Sequence, residues 1–424
     1  MKIVLLNTAE RTGGAAVAAN RLMHALRKSG AEVTMLVRDR KTEDAHVVAL
    51  NDSSWKRRLN LFRFFWERIV IFLCNRLNRK NLFQVSIANT GSDVSNHPLI
   101  KEADVIHLHW INQGFLSLKD IQRLIETGKP IVWTLHDLWP VTAICHYPDQ
   151  CIHYYKKCHH CMMQVKHPLA DMARSVFDKK KCIDYSKIHF VGCSEWIVSQ
   201  AQRSQLTKLS SFCSIPNPID IDLFHKMDKR EARKRFRLPV DRPLLLFAAA
   251  KVSDTRKGAT YLTEACRLLK MRKATSFDIV LMGDSSEELI SQFPCRVHTL
   301  GYISNLSSMV AAYSCADLFV IPSLEDNLPN TIMEAMACGT PCVGFMTGGI
   351  PEMISHQQNG YLATYKDSAD LAKGIEWVLT HNQHNELSAA CLKKVNDCYR
   401  ESVIAEKYIN LYKQLICNNP HSQS

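Results

Sequence analysis

The chain has 424 residues, 46 % of them hydrophobic, too many for one ordinary core, so two domains are expected. Its formal net charge of +12 is one-sided: residues 1–212 carry 30 Lys+Arg against 18 Asp+Glu, and residues 213–424 carry 23 of each. No apolar run approaches a membrane span in length, and sixteen cysteines in a chain expected to be cytoplasmic are not a disulfide framework.

The opening MKIVLLNTAE has a strand's short apolar run and lacks the longer core and cleavage site of a signal peptide. KIVLLN (2–7) leads through a Gly13-Gly14 loop into a helix with apolar Ala, Val and Leu, in NTAERTGGAAVAANRLMHALRKSG (7–30). Glycines there let backbone N–H groups approach an anion at a helix N-terminus, although a Gly-Gly turn is also ordinary punctuation. The spacing is not G-x-G-x-x-G, which counts against a dehydrogenase. After the strand EVTMLV (32–37) comes WKRRLNLFRFFWERIVIFLCNRLNRK (55–80). It reads as a helix whose charges do not segregate, with Arg63, Arg68 and Arg76 on different sides. It is either docked on its own domain or a basic interfacial membrane element.

Strands DVIHLH (104–109) and PIVWTLH (130–136) follow, the second ending on His136. A strand-end histidine is either buried structure or a ligand contact. Residues 143–164, AICHYPDQCIHYYKKCHHCMMQ, then hold Cys145, Cys151, Cys158 and Cys161 with five, six and two residues between them. Four cysteines ending in C-x2-C suit a closed tetrahedral zinc site; loop thiols without metal are the plainer reading. IHFVGC (188–193) ends this series of strands.

The second half opens on the turn-rich FCSIPNPID (212–220). Strands LLLFAAA (244–250), FDIVLMG (277–283), VHTLGY (297–302), LFVIPS (318–323) and PCVGF (341–345) follow. Apolar runs separated by helices mean parallel sheets covered on both faces. The expected class is α/β, with two doubly wound Rossmann-like domains facing a cleft and ligands at the strands' carboxyl ends. The domains are expected at 1–212, with the Cys-rich insert 143–164, and at 213–398. Residues 399–424 are expected to form a helix crossing back to the first domain and then a frayed tail.

Two stretches of the second half carry chemistry. In AAAKVSDTRKGATYLTEA (248–265), Lys251, Arg256 and Lys257 crowd the loop between a strand and a helix. Cations at such a place make a pyrophosphate clamp; a solvated charge cluster is the plainer reading. In PSLEDNLPNTIMEAMACGTP (322–341), Asp326 lies in the loop and Glu334 in the first turns of a helix stopped by Gly339 and Pro341. Neither position reads as deep in a core, so both carboxylates are expected to point into a crevice, where they suit sugar and ribose hydroxyls. TGGIPE (347–352) adds a Gly348-Gly349 turn.

IPNPID, KVSDTRKG, VLMGD, LGYISN, PSLEDNLPNTIMEAMACGTP and GGIPE follow one another in residues 215–352. In that order they resemble the retaining glycosyltransferases of family 4, of the bacterial surface-polysaccharide type, built on the two-domain GT-B fold. The likeness runs over nearly the whole chain. It implies transfer of a sugar, with retention, from a nucleotide-sugar donor to a hydroxyl of a glycan or lipid-linked glycan. By the same resemblance, the first domain takes the acceptor side and the second binds the donor.

The resemblance also implies residue roles. Lys251, where the family usually has Arg, and Lys257 would bind the donor diphosphate. Glu334 would hold the ribose. Asp326 stands where the family has a sugar-contacting Glu, with Glu325 as its substitute. Amides of Asn327 and Leu328 would lie near the sugar or phosphates, Gly13 and Gly14 would face the diphosphate, and His136 would stand beside the sugar. Arg256, Gly283 of VLMGD and Tyr302 of LGYISN complete the donor positions. His136, Lys251, Lys257 and Asp326 are the expected catalytic set. No catalytic metal is implied, because the lysines supply the cation, and a zinc ion in the insert would be structural. The basic half would meet an anionic membrane surface, placing the chain peripherally at the inner face of the cell membrane. No nucleic-acid motif is present. The alternatives are a nucleotide-sugar epimerase or phosphorylase of the same fold, or a catalytically weak, glycosyltransferase-like binding subunit.

Overall fold

The computed structural model describes residues 1–165, 171–252, 254–272, 276–382 and 385–419. It divides into two compact units. Unit 1 is Met1–Pro218 with the chain from Ile404 on, and unit 2 is Ile219–Val403.

Unit 1 holds β1 (Lys2–Ala9), β2 (Glu32–Asp39), β3 (Val47–Ala49), β4 (Val105–Leu108), β5 (Ile131–Leu135), β6 (Ile188–Gly192) and β7 (Ser211–Ser214). They pair in parallel in the order β3-β2-β1-β4-β5-β6-β7. Successive side chains leave a strand on opposite faces, and here both faces are buried. Ile3 and Leu5 of β1 join one cluster with Leu22 and Leu26 of the helix Gly14–Lys28. Val4 and Leu6 join the other, with Leu124, Phe177 and Ile197. That is why β1 reads as an unbroken apolar run rather than an alternating one. The first face is completed by Ile404, Ala405, Tyr408, Leu411 and Tyr412 of the helix Glu401–Cys417. Two hydrogen bonds tie this helix down: His107 Nδ1 lies 2.7 Å from the Tyr412 hydroxyl, and Thr134 Oγ1 lies 3.0 Å from that of Tyr408.

Unit 2 repeats the plan with β8 (Leu244–Lys251), β9 (Asp278–Asp284), β10 (Val297–Gly301), β11 (Leu318–Ile321), β12 (Cys342–Phe345) and β13 (Gly360–Ala363). The parallel order is β10-β9-β8-β11-β12-β13. The chain enters and leaves this unit side by side: Ile219 N–H donates to Tyr399 O at 2.9 Å, and Glu401 N–H to Ile219 O at 3.1 Å. The doubly wound parallel sheets expected from the apolar runs are therefore present in both units. Three short strands, β3, β7 and β13, were not legible as such; the residues of β7 fall where the turn-rich stretch begins. In each sheet the order reverses beside the first strand, where loops leaving the carboxyl ends make a ligand crevice in folds of this class.

Candidate functional site

In unit 2 the loops after β8 and β11 interlock. The β8 loop turns through Thr255–Lys257 and Gly258, whose φ is +72°. A Cβ on Gly258 would lie 1.9 Å from Pro322 O, so only glycine allows this loop to lie against the end of β11. Leu324 N–H donates to Arg256 O at 2.8 Å, and Arg256 Nη1 donates to Glu325 O at 3.1 Å. At the centre Lys257 Nζ donates to Asp326 Oδ2 at 2.5 Å, and Ser323 Oγ lies 3.4 Å from the same oxygen. Burial alone would raise the Asp326 carboxyl. Lys257 and Arg256, with the hydrogen bonds from Lys257 and Ser323, outweigh it and hold the group below its ordinary range. From the other side Gly348, at φ +57°, closes on this loop: a Cβ there would lie 1.8 Å from Asp326 O, and Gly349 N–H donates to that oxygen at 3.2 Å.

Glu334 sits on the helix Asn330–Ala337 that follows, and its Oε2 accepts from the Tyr313 hydroxyl at 2.8 Å. Asp326 and Glu334 are 8 % and 4 % exposed. The expectation that neither lies deep is thus corrected: the loop after β11 folds back under the glycine turn, and Tyr313 covers the helix's first turns. Asn327 and Leu328 are buried in the same loop, and Glu325 is half-buried. Gly283, next to last in β9, has φ +129°, and a Cβ there would lie 1.7 Å from Ala249 O, so it permits the close pairing of β8 and β9. Lys251 is the last residue of β8, and its side chain lies outside the described residues. Tyr302 stands apart, 74 % exposed beyond the edge strand β10.

In unit 1, Gly13 caps the helix Gly14–Lys28 at φ +90°, and a Cβ there would meet nothing within 4 Å. His136 follows β5. Its Nε2 lies 2.9 Å from His109 Nδ1, and its Nδ1 lies 3.6 Å from Cys193 Sγ, which donates to Asn217 Oδ1 at 3.2 Å. Burial lowers His136 to about 4 and pushes His107 and His109 well down, so all three are neutral imidazoles at neutral pH. His109, Cys193 and Tyr313 were missed by the sequence reading. The one available signal was that DVIHLH, like PIVWTLH, ends on a histidine.

The Cys-rich insert is tied near its start to Asp137, the residue after His136. Asp137 accepts from His146 Nδ1 at 2.8 Å and from Trp110 Nε1 at 2.9 Å. Cys145 and Cys158 are buried, and Cys151 and Cys161 are half-buried. Burial first, then the neighbouring thiols, push Cys145, Cys158 and Cys161 up, Cys158 to about 12. Among the described residues no group of three or more His, Cys, Asp or Glu side chains is placed to hold a metal ion. This arrangement gives no support to the zinc expected at Cys145, Cys151, Cys158 and Cys161. Cys158 instead belongs to the apolar core, with Cys161 packed against it.

Comparison with known proteins assigns the chain. Residues 12–223, half of its length, match the family model described as Glycosyltransferase Family 4, and residues 242–381 match that for Glycosyl transferases group 1. N-acetyl-alpha-D-glucosaminyl L-malate synthase of Bacillus anthracis is 25 % identical over 211 residues, 48 % of this chain and 54 % of that protein. N,N'-diacetylbacillosaminyl-diphospho-undecaprenol alpha-1,3-N-acetylgalactosaminyltransferase of Campylobacter jejuni is 27 % identical over 177 residues, 42 % and 46 % of the two chains. The chain thus spans about half the length of the curated relatives it matches. Among solved structures, HepE of Anabaena in complex with UDP and glucose superposes with a TM-score of 0.64 at 18 % identity, over 97 % of this chain and 99 % of that one. The chain belongs to glycosyltransferase family 4 and has the GT-B fold.

Proposed function

We propose that the protein is a retaining glycosyltransferase that moves a sugar from a nucleotide-sugar donor to a hydroxyl of a glycan or lipid-linked glycan. The observation that carries this reading is the Lys257–Asp326 pair, a fixed cation beside a buried carboxylate where the loops after β8 and β11 meet. Lys257, with Lys251 and Arg256, neutralises the nucleoside diphosphate as the bond to the sugar breaks. That charge is greatest in the transition state, so stabilising it raises turnover. Glu334 accepts from the ribose hydroxyls, and Asp326, or Glu325 beside it, from the sugar. The amides of Asn327 and Leu328 face the sugar or phosphates, and Gly283 and Tyr302 complete the donor positions. In unit 1, Gly13 and Gly14 admit the diphosphate. His136, being neutral, serves the sugar as a hydrogen-bond partner and not as a cation. The acceptor hydroxyl's proton passes to the departing phosphate on the same face, which keeps the configuration and needs no general base.

The solved complex of HepE with UDP and glucose supports a nucleotide-sugar donor, and the diphospho-undecaprenol in the Campylobacter relative's name supports a lipid-linked acceptor. By this reading the protein works in the cytoplasm, against the inner face of the cell membrane. The test is turnover across a panel of nucleotide sugars. One donor should be consumed, and a folded Lys257→Ala protein should lose at least about tenfold in kcat/KM, the equivalent of about 1.4 kcal/mol. A folded variant equal to wild type would refute the assignment. Asp326, one methylene shorter than the family's Glu, favours a second reading, a weak or inactive binding subunit. Donor binding in calorimetry without turnover of any donor would establish that reading instead.

A further inference from the structure

The helix Ser54–Cys74 turns its polar side inward and its aromatic side outward. Its buried residues are Asn60, Glu67, Arg68 and Ile71. Glu67 is 0 % exposed, whereas Trp55 is 72 %, Phe62 61 % and Leu73 58 % exposed. A helix laid down only to cover a core has the opposite arrangement.

This orientation is fixed by specific bonds. Glu67 Oε1 accepts from Ile87 N–H at 2.8 Å and Ala88 N–H at 3.0 Å, and Oε2 pairs with Arg68 Nη2 at 2.8 Å. Arg68 Nη1 donates to Leu82 O at 2.5 Å and Val85 O at 3.0 Å. Arg63 Nη1 donates to Asn60 Oδ1 at 2.9 Å and Ser92 Oγ at 2.5 Å. Gly114, at φ +81°, lets the helix backbone come close: a Cβ there would lie 3.0 Å from Phe64 N. Rotating the helix to hide its rings would strand the Glu67–Arg68 pair.

Outward, Trp55, Phe62, Trp66, Ile69 and Leu73 fall within an arc of about 60° at 3.6 residues per turn, and Phe62 stacks on Trp66 at 6.1 Å. Charge flanks this stripe. Residues 54–80 hold eight Lys/Arg and a single acid, the buried Glu67. Lys56, Arg57 and Arg58 near one end, and Arg76, Arg79 and Lys80 beyond the other, are exposed.

We infer that this face seats the protein on an anionic lipid bilayer. The helix lies in the plane of the surface, its rings at the boundary of headgroups and acyl chains, its two basic ends against lipid phosphates. Aromatic side chains prefer that boundary. Among the described residues no helix is long and apolar enough to cross a membrane, so this one lies on the surface. A second copy of the chain is a poorer occupant, because self-pairing brings basic ends onto basic ends. Arg63 and Arg68 are engaged inward and take no part. The inference deepens the membrane-side reading of the proposed function but does not depend on the sugar chemistry.

Co-sedimentation with phosphatidylglycerol–phosphatidylcholine vesicles, against phosphatidylcholine alone, tests it at low and high salt. Wild type should bind the anionic vesicles, and its tryptophan emission should be quenched by brominated lipid. High salt, Arg57→Glu/Arg58→Glu, and Phe62→Ser/Trp66→Ser/Ile69→Ser should each lower the bound fraction at least tenfold. Donor affinity measured on the same variants reports folding and the sugar-binding reading separately. Equal partitioning of wild type and both variants would overturn the inference. So would competition by free glycerol phosphate, which marks a soluble-anion site, or a dimer that only the aromatic variant splits, without vesicle binding.

Discussion

Lys257 Nζ lies 2.5 Å from Asp326 Oδ2, with the carboxylate nearly buried and the lysine side chain 22 % exposed. A cation held by a buried acid is positioned before any anion arrives, and it remains reachable from solvent. The pair joins two loops that come from different strands, so its loss reaches both folding and chemistry.

Lys257→Ala should leave a buried carboxylate unpaired, at about 3–5 kcal/mol. The pH dependence carries a sign. A carboxyl depressed by folding contributes stability that is present above its unfolded value, near 4, and lost as pH falls through the lower folded value. Without Lys257 burial works against lesser partners only and the folded carboxyl moves up, so the variant should lose less stability than wild type as pH falls below about 4. Urea denaturation from pH 3 to 7 checks this; parallel curves for wild type and variant would remove the ion pair from the account.

Glu334→Gln keeps an acceptor for the Tyr313 hydroxyl but removes the charge. It should fold within about 1 kcal/mol of wild type and still lose donor affinity. Tyr313→Phe should cost about 1 kcal/mol with a smaller effect on the donor. Calorimetric titration with the donor and thermal melts separate the two; unchanged affinity in Glu334→Gln would take the ribose role from this residue.

Gly258→Ala and Gly348→Ala each force a left-handed backbone and push a methyl against a carbonyl, Pro322 O in one case and Asp326 O in the other. Each should cost at least about 1–3 kcal/mol. Gly13→Ala keeps the backbone penalty but meets nothing, so it should cost less. Melting temperatures of the three variants should rank accordingly.

His107, His109 and His136 are all held below their ordinary value by burial. Unfolded, they take up protons near pH 6.5; folded, they resist, His136 until about 4. Between those values the unfolded chain binds more protons, so unit 1 should lose stability steadily as pH falls from 7 towards 4. His109→Gln should flatten that slope. A denaturation midpoint that does not move between pH 7 and 5 would contradict the burial of these rings.

The sheets were legible because every core strand is buried on both faces and so shows as an apolar run. Gly348 was legible as a turn, but not as the close neighbour of Asp326 O that it is. That contact joins residues far apart in sequence, as does His136 with Cys193. The outward helix face was less legible still. Its wheel shows where charges fall, yet which side meets the protein is decided by Glu67 finding the amides of Ile87 and Ala88. Cysteine spacing suggested a metal, whereas the surroundings of Cys158 are those of a small apolar side chain.

The helix that completes the first face of unit 1 is made after all of unit 2. On the ribosome, the strand surface that Ile3, Leu5 and Val105 present must wait, only partly covered by the helix Gly14–Lys28, until Tyr408 and Tyr412 emerge. Unit 2, one continuous stretch of chain between them, has all its residues available earlier. Synthesis therefore imposes an order in which the second unit can close before the first. A ribosome that stops short of Ile404 releases a protein in which this face of unit 1 is incomplete, with His107 and Thr134 lacking the hydroxyls they bond. Such a fragment is the natural target for chaperones and proteases.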